Sequence, residues 1–132
     1  MKLLLDTHVL LLAATDHASL SKDARALIED EGNQVFFSSA SILELAIVNG
    51  NAPIDPARLR MLLLENDYQE LPITSTHSLG VRFLPAIHTD FFARIRIAQS
   101  LAESAHLITQ DAMCLQYPGI VSAKDLLKLS TF

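Results

Sequence analysis

The chain has 132 residues, of which 50% are hydrophobic and 19% are charged, so a disordered chain is excluded and one globular domain over residues 1–132 is expected. No apolar run approaches the roughly 18 residues of a membrane span. Asp6 and His8 interrupt the N-terminal leucines, so a first core strand is expected there instead of a signal peptide. The net charge of −5 disfavours nonspecific nucleic-acid binding and suits carboxylates that hold a cation. The single cysteine permits no internal disulfide and predicts a cytoplasmic location.

Short apolar strands alternate with helices along the chain. The pattern predicts strands at 2–5, 34–38, 69–73, 106–109 and 119–121. It predicts helices at 7–14, 21–30, 40–48, 55–66, 74–83, 91–104 and 123–129, with Ser21 as an N-cap and Pro56 in a first helical position. This alternation predicts an α/β fold with a mainly parallel central sheet flanked by helices.

Acidic residues recur where predicted strands end. Asp6 follows the first strand, Asp111 follows the strand at 106–109, and Glu44 lies about one and a half turns into the helix after the second strand. Asp90 stands at the entry to the long helix. Ligands of parallel sheets bind at the carboxyl ends of strands, and neighbouring buried carboxylates need a cation. Oxygen ligands favour Mg²⁺ or Mn²⁺, and no Cys/His spacing indicates zinc.

Each acid also has a structural interpretation, and the residues alone leave both open. Asp6, Asp90 and Asp111 are suitable N-caps, and Ser41-Ile42-Leu43-Glu44 matches a capping box. The four glycines form no phosphate-binding loop, and no nucleophile elbow is present. A receiver-like phosphoacceptor domain would share the fold class, and binding of a phosphate analogue at Asp6 would favour it.

Five motifs, in order, resemble the PIN-domain ribonucleases, and most of all the VapC-type toxins of toxin–antitoxin modules. They are LLLDTHVLLLAA, SSASILELAI, ELPITSTHS, the H-x-D-x-F-x-R-I-x-IAQSLAE stretch that begins at His88, and LITQD. The resemblance covers nearly the whole chain, about residues 2–122. The resemblance implies a three-layer PIN-like sandwich, Mg²⁺- or Mn²⁺-dependent endonucleolytic cleavage of RNA, a cognate VapB-like antitoxin, and a homodimer. The high apolar content fits that dimer.

By position, the resemblance implies that Asp6, Glu44 and Asp111 are catalytic acids that ligate the metal. Thr7 and Thr109 fall where hydroxyls support such a site. Arg94 is interpreted as lying next to the acids, where it could hold a phosphate or pair with a carboxylate.

The chain departs from the resemblance at a position that bears on chemistry. The third motif commonly reads H-x-D-P-F-D-R, whereas residues 88–94 read HTDFFAR, so Ala93 replaces an expected metal-site Asp. Three explanations stay open: a deliberately inactivated variant, a naturally degenerate member that still binds its antitoxin, or substitution by Asp90 one turn away. The other departures concern packing or substrate contacts and are Leu12, Leu43, Val48 and Phe91.

The leading prediction is therefore a metal-dependent endoribonuclease toxin that is impaired through Ala93. The alternative is a catalytically inactive PIN-like module that binds an antitoxin or RNA.

Overall fold

The computed structural model describes residues 1–48, 52–117 and 121–122. Its strands are β1 (Lys2–Leu5), β2 (Gln34–Ser38), β3 (Gln69–Leu71), β4 (His106–Thr109) and β5 (Val121–Ser122). Its helices are α1 (Thr7–Ala14), α2 (Lys22–Glu29), α3 (Ser39–Ile47), α4 (Pro56–Glu65), α5 (Ser75–Gly80) and α6 (Phe91–Ala102). Two 3₁₀ turns cover Val81–Phe83 and Cys114–Gln116. The helix predicted at 123–129 lies outside the described residues.

Side-chain caps begin three of the helices as the sequence predicts. Ser21 Oγ accepts a hydrogen bond from the backbone N–H of Ala24 at the start of α2. Asp55 caps α4, whose first residue is Pro56. Asp90 caps α6 by accepting from the N–H of Phe92, at 3.2 Å. These caps satisfy amide groups that the first helical turn leaves without partners.

The sheet is parallel throughout its described strands, in the order β3-β2-β1-β4-β5. Leu4 of β1 pairs with Phe36 of β2 on one side and with Leu107 of β4 on the other. The chain adds β2 and β3 on one side of β1 and then β4 and β5 on the other side, so the switch point of the sheet lies between β1 and β4. At such a switch point the loops after the two central strands diverge and leave a crevice for a ligand.

Alternate residues of β1 face two separate apolar clusters. Leu3 and Leu5 pack into a cluster with buried residues of α1, α2, α3 and α4. Leu4 packs on the opposite face, with Ile97 of α6 and Leu107. Helices therefore cover both faces of the sheet, which confirms the predicted three-layer α/β sandwich.

The longest described helix, α6, has 12 residues, and no helix in the described part of the chain combines the length and apolar character that a bilayer crossing demands.

Candidate functional site

Asp6 lies at the carboxyl end of β1, at the switch point, and is 7% exposed. Its Oδ1 accepts from the N–H of Thr7 at 2.9 Å, so Asp6 caps α1. Its Oδ2 accepts from the hydroxyl of Thr109, at the end of β4, at 2.6 Å. The two central strands thus supply a buried carboxylate and a hydroxyl that holds it in place.

Glu44 projects from α3 toward the same point. The Thr7 hydroxyl lies 2.7 Å from Glu44 Oε1 and 2.8 Å from Ser41 Oγ. The capping-box interpretation of Ser41 and Glu44 is wrong, because Ser38 is the N-cap and accepts from the N–H of Ala40. One turn of α3 lies before Glu44, so its carboxylate is free to contact α1 and α6 instead of its own helix end.

A buried arginine joins these two acids. Arg96 of α6 is 3% exposed; its Nη2 lies 2.8 Å from Asp6 Oδ1 and its Nη1 lies 3.0 Å from Glu44 Oε1. Sequence reasoning missed this residue. The available signal was its spacing, because position 96 shares a helix face with position 93, three residues earlier, where the resemblance expects an acid. We call Asp6, Thr7, Glu44, Arg96 and Thr109 the Arg96 cluster.

Arg94, which the sequence placed next to the acids, points elsewhere. Its Nη1 donates to the carbonyls of Pro85 and His88, both at 3.2 Å, and its Nη2 donates to the carbonyl of Val81 at 3.1 Å. The carboxylate-pairing interpretation is therefore wrong within the described residues. Through these hydrogen bonds, Arg94 instead connects the segment before α6 to the first turns of that helix.

Asp111 forms a second, more exposed pair with His88. Its Oδ2 lies 2.8 Å from His88 Nε2, and its side chain is 37% exposed. His88 Nδ1 accepts from the N–H of Asp90 at 3.0 Å, so the ring presents an Nε2–H donor to the carboxylate. Burial acts to raise the pKa of Asp111, but hydrogen bonds from His88 and from the Met113 N–H outweigh it, and the pKa lies below its usual value.

Thr109 connects the two sets of acids. Its hydroxyl donates to Asp6 and accepts from the backbone N–H of Asp111 at 3.0 Å. Cys114 lies beside Asp111 and is buried, as the sequence suggested; burial raises the pKa of its thiol to about 12. We call His88, Asp111 and Cys114 the His88 cluster.

Position 93 offers no ligand to either cluster. Ala93 is 1% exposed and belongs to the apolar cluster that contains Leu4, Ile97 and Leu107. Asp90, the alternative ligand, uses Oδ1 to cap α6. The structure thus brings Asp6 and Glu44 together, sets Asp111 against His88, and gives Asp90 a capping contact.

These contacts decide whether a divalent metal fits. Both acids that converge at the switch point already share one guanidinium. In addition, the Thr7 hydroxyl donates to Glu44 and the Thr109 hydroxyl donates to Asp6. A metal ion bound to Asp6 and Glu44 would have to displace Arg96. The described residues, as arranged, therefore do not fit a divalent cation between these two carboxylates.

Comparison with known proteins decides the family. The PIN domain family matches residues 3–119 of the chain. The chain belongs to the PIN-domain family. The predicted PIN-like sandwich is thereby confirmed, and the site described above lies within the matched residues.

Solved structures with the same fold support that assignment. A VapBC2 structure from Rickettsia felis, bound to a promoter DNA fragment, has a TM-score of 0.69 at 14% identity and covers 92% of this chain and 97% of that one. DNA-bound VapBC from Salmonella typhimurium has a TM-score of 0.66 at 14% identity, with coverages of 92% and 96%. A toxin–antitoxin complex from Klebsiella pneumoniae has a TM-score of 0.65 at 20% identity and covers 91% of this chain and 96% of that one. The search of curated proteins returned no match.

Proposed function

We propose that this protein is a VapC-type PIN-domain toxin of a toxin–antitoxin module in which metal-dependent endonucleolytic cleavage of RNA is impaired. Binding of an antitoxin is the activity that it retains. The expected catalytic acids are Asp6, Glu44 and Asp111, as the resemblance assigns them, and their metal would be Mg²⁺ or Mn²⁺.

One observation carries this proposal. Asp6 and Glu44 meet at the switch point of a PIN fold, where a ligand crevice belongs, yet the facing helix presents buried Ala93 and Arg96 instead of a further acid. The position of the acids supports descent from a nuclease. The missing carboxylate and the added cation support impairment, because metal affinity depends on the ligand charges gathered around the ion.

Two observations support a protein partner. The similar structures from Rickettsia felis, Salmonella typhimurium and Klebsiella pneumoniae are VapBC or toxin–antitoxin assemblies that match nearly the whole chain. In addition, α3 and α4 pack together and expose apolar side chains, namely Leu43, Ile47, Met61 and Leu64. Exposed apolar side chains on neighbouring helices are typical of interaction sites, so we propose an antitoxin partner and a homodimer, with the mass in solution as the check.

RNA cleavage assays test the impairment. The full chain and its Glu44→Gln variant are incubated with single-stranded and structured RNAs in Mn²⁺, Mg²⁺ or a chelator. We expect little or no RNA cleavage by either protein in any condition, because Arg96 neutralises Asp6 and Glu44 and position 93 offers no further acid. Cleavage by the unaltered chain that requires Mn²⁺ and disappears in Glu44→Gln would contradict the proposal.

A binding experiment tests the retained activity. The cognate antitoxin is coexpressed with this chain and the complex is purified with a metal chelator present throughout. We expect a stable complex, because the partner surface does not depend on a filled metal site. Failure of the antitoxin to bind, together with tight RNA binding by the isolated chain, would favour an RNA-binding module instead.

A further inference from the structure

We propose that Arg96 takes the place of the divalent cation, so that the site is neutralised by a guanidinium built into α6 and is closed to metal. The inference deepens the proposed function and rests on it only for the expectation that these acids belong to a metal site. It concerns metal binding and charge balance, which are measurable without any RNA.

The geometry of Arg96 resembles that of a shared counter-ion. Its two terminal nitrogens reach two different carboxylates, at 2.8 Å and 3.0 Å, and those carboxylates come from β1's end and from α3. A guanidinium is planar and carries several donors in a fixed arrangement, so one group satisfies both acids at once. The chain thereby joins three elements at the switch point through a single positive charge.

Three of the four carboxylate oxygens of Asp6 and Glu44 already have partners. Asp6 Oδ1 accepts from the Thr7 N–H and contacts Arg96, while Oδ2 accepts from Thr109. Glu44 Oε1 contacts both the Thr7 hydroxyl and Arg96. A metal that bridges the two acids would have to compete with these contacts and approach a guanidinium, which stays protonated at all relevant pH values. Like charges therefore oppose metal entry.

Ala93 and Arg96 act together in this account. They lie one turn apart on α6, and Arg96 Nε is a buried nitrogen without a hydrogen-bond partner among the described residues. A carboxylate introduced at position 93 would stand beside that guanidinium and pair with it. Restoring the expected acid alone would therefore reinforce Arg96 instead of opening the site, so Arg96 must also be replaced before a metal binds tightly.

Manganese binding separates these possibilities. Free Mn²⁺ is followed by electron paramagnetic resonance as the full chain is added, for the unaltered protein, Ala93→Asp, Arg96→Met and the double variant Ala93→Asp/Arg96→Met. We expect the double variant to bind one Mn²⁺ at least about 100-fold more tightly than the other three, since it removes a repelling charge and adds a ligand. Adding Glu44→Gln to the double variant abolishes that binding.

A matched control replaces an arginine outside the site, as Ala93→Asp/Arg25→Met, and should bind Mn²⁺ no better than Ala93→Asp. The proposal is overturned if the unaltered chain binds one Mn²⁺ in a manner lost on Glu44→Gln. It is also overturned if the folded double variant, checked by circular dichroism, binds no better than the unaltered chain. Tight metal binding without RNA cleavage would count against the nuclease origin and leave this inference standing.

A second measurement needs no variant. The Arg96 Nε–H resonance of the unaltered chain is followed by nuclear magnetic resonance during a titration with Mg²⁺. We expect it to stay in place in excess Mg²⁺, because the guanidinium holds its position. A saturable shift of this resonance would overturn the proposal even if the variants failed to fold.

Discussion

Two groups of acids at one edge of the sheet are neutralised in different ways. In the Arg96 cluster, buried Asp6 and partly buried Glu44 share a buried guanidinium. In the His88 cluster, Asp111 is 37% exposed and pairs with an imidazole. The first partner is a permanent cation, whereas the second is an imidazole ring that contacts the carboxylate through Nε2.

This difference in burial and charge sets how much each ion pair contributes to the stability of the fold. Removing one member of a buried ion pair leaves an unpaired charge that water cannot reach, which is costly. The His88–Asp111 pair is partly open to solvent, which screens it, so its loss should cost less. We therefore expect the Arg96 cluster to govern stability and metal exclusion, and the His88 cluster to respond mainly to pH.

The largest expected effect comes from Arg96→Met. Two carboxylates would lose their shared cation, and we expect the free energy of unfolding to fall by about 3–5 kcal/mol. Urea denaturation followed by circular dichroism measures this loss. The matched control is Arg25→Met, which removes a pair with the exposed Asp16 and should cost less than about 1 kcal/mol. Equal losses in the two variants would contradict the claim that the buried charge of Arg96 governs stability.

A smaller effect is expected from Thr109→Val. Thr109 is fully buried and links the two clusters, because its hydroxyl donates to Asp6 and accepts from the Asp111 N–H. Leaving these two groups without that partner should lower the free energy of unfolding by about 1–3 kcal/mol. The control is Thr15→Val, which deletes an exposed hydroxyl at the end of α1. If both valine variants unfold at the same urea concentration, the hydroxyl of Thr109 does not hold the clusters together.

The smallest effect concerns Asp111 and depends on pH. Its pKa is lowered in the folded chain, so its charged form stabilises the fold above the unfolded pKa of about 3.9, and this contribution is lost as pH falls through the lowered folded value. Asp111→Asn should therefore cost less than about 1 kcal/mol near neutral pH and nothing in stronger acid. Urea denaturation of both proteins across that pH range measures the difference. A difference that persists unchanged at a pH of about 2 would contradict this assignment.

Much of the fold follows from local sequence signals. The strands at 2–5, 34–38 and 106–109 are short apolar runs with the predicted bounds. Asp55 and Asp90 cap helices as their position before a helical run indicates. The third strand is shorter than predicted and ends at Leu71, since only three of its residues pair with β2. Local propensity predicts that a strand exists, whereas pairing with neighbours decides where it ends.

The site could be predicted only in part. The ends of parallel strands gather at one edge, so the acids at positions 6 and 111 were expected there. The partner of each acid depends on contacts between distant segments, such as the 52 residues that separate Glu44 from Arg96. Helical spacing places Arg96 on the face of position 93, but nothing in the local sequence says that its charge is buried. Arg94, two residues earlier, looked equally suitable and lies on a different face.

Anomalous X-ray scattering from crystals of the unaltered chain soaked in Mn²⁺ tests the central claim most directly. The account predicts no manganese peak between Asp6 and Glu44, and an Arg96 guanidinium in contact with both carboxylates. A manganese peak within about 2.3 Å of oxygens from both acids, with Arg96 displaced, would contradict it.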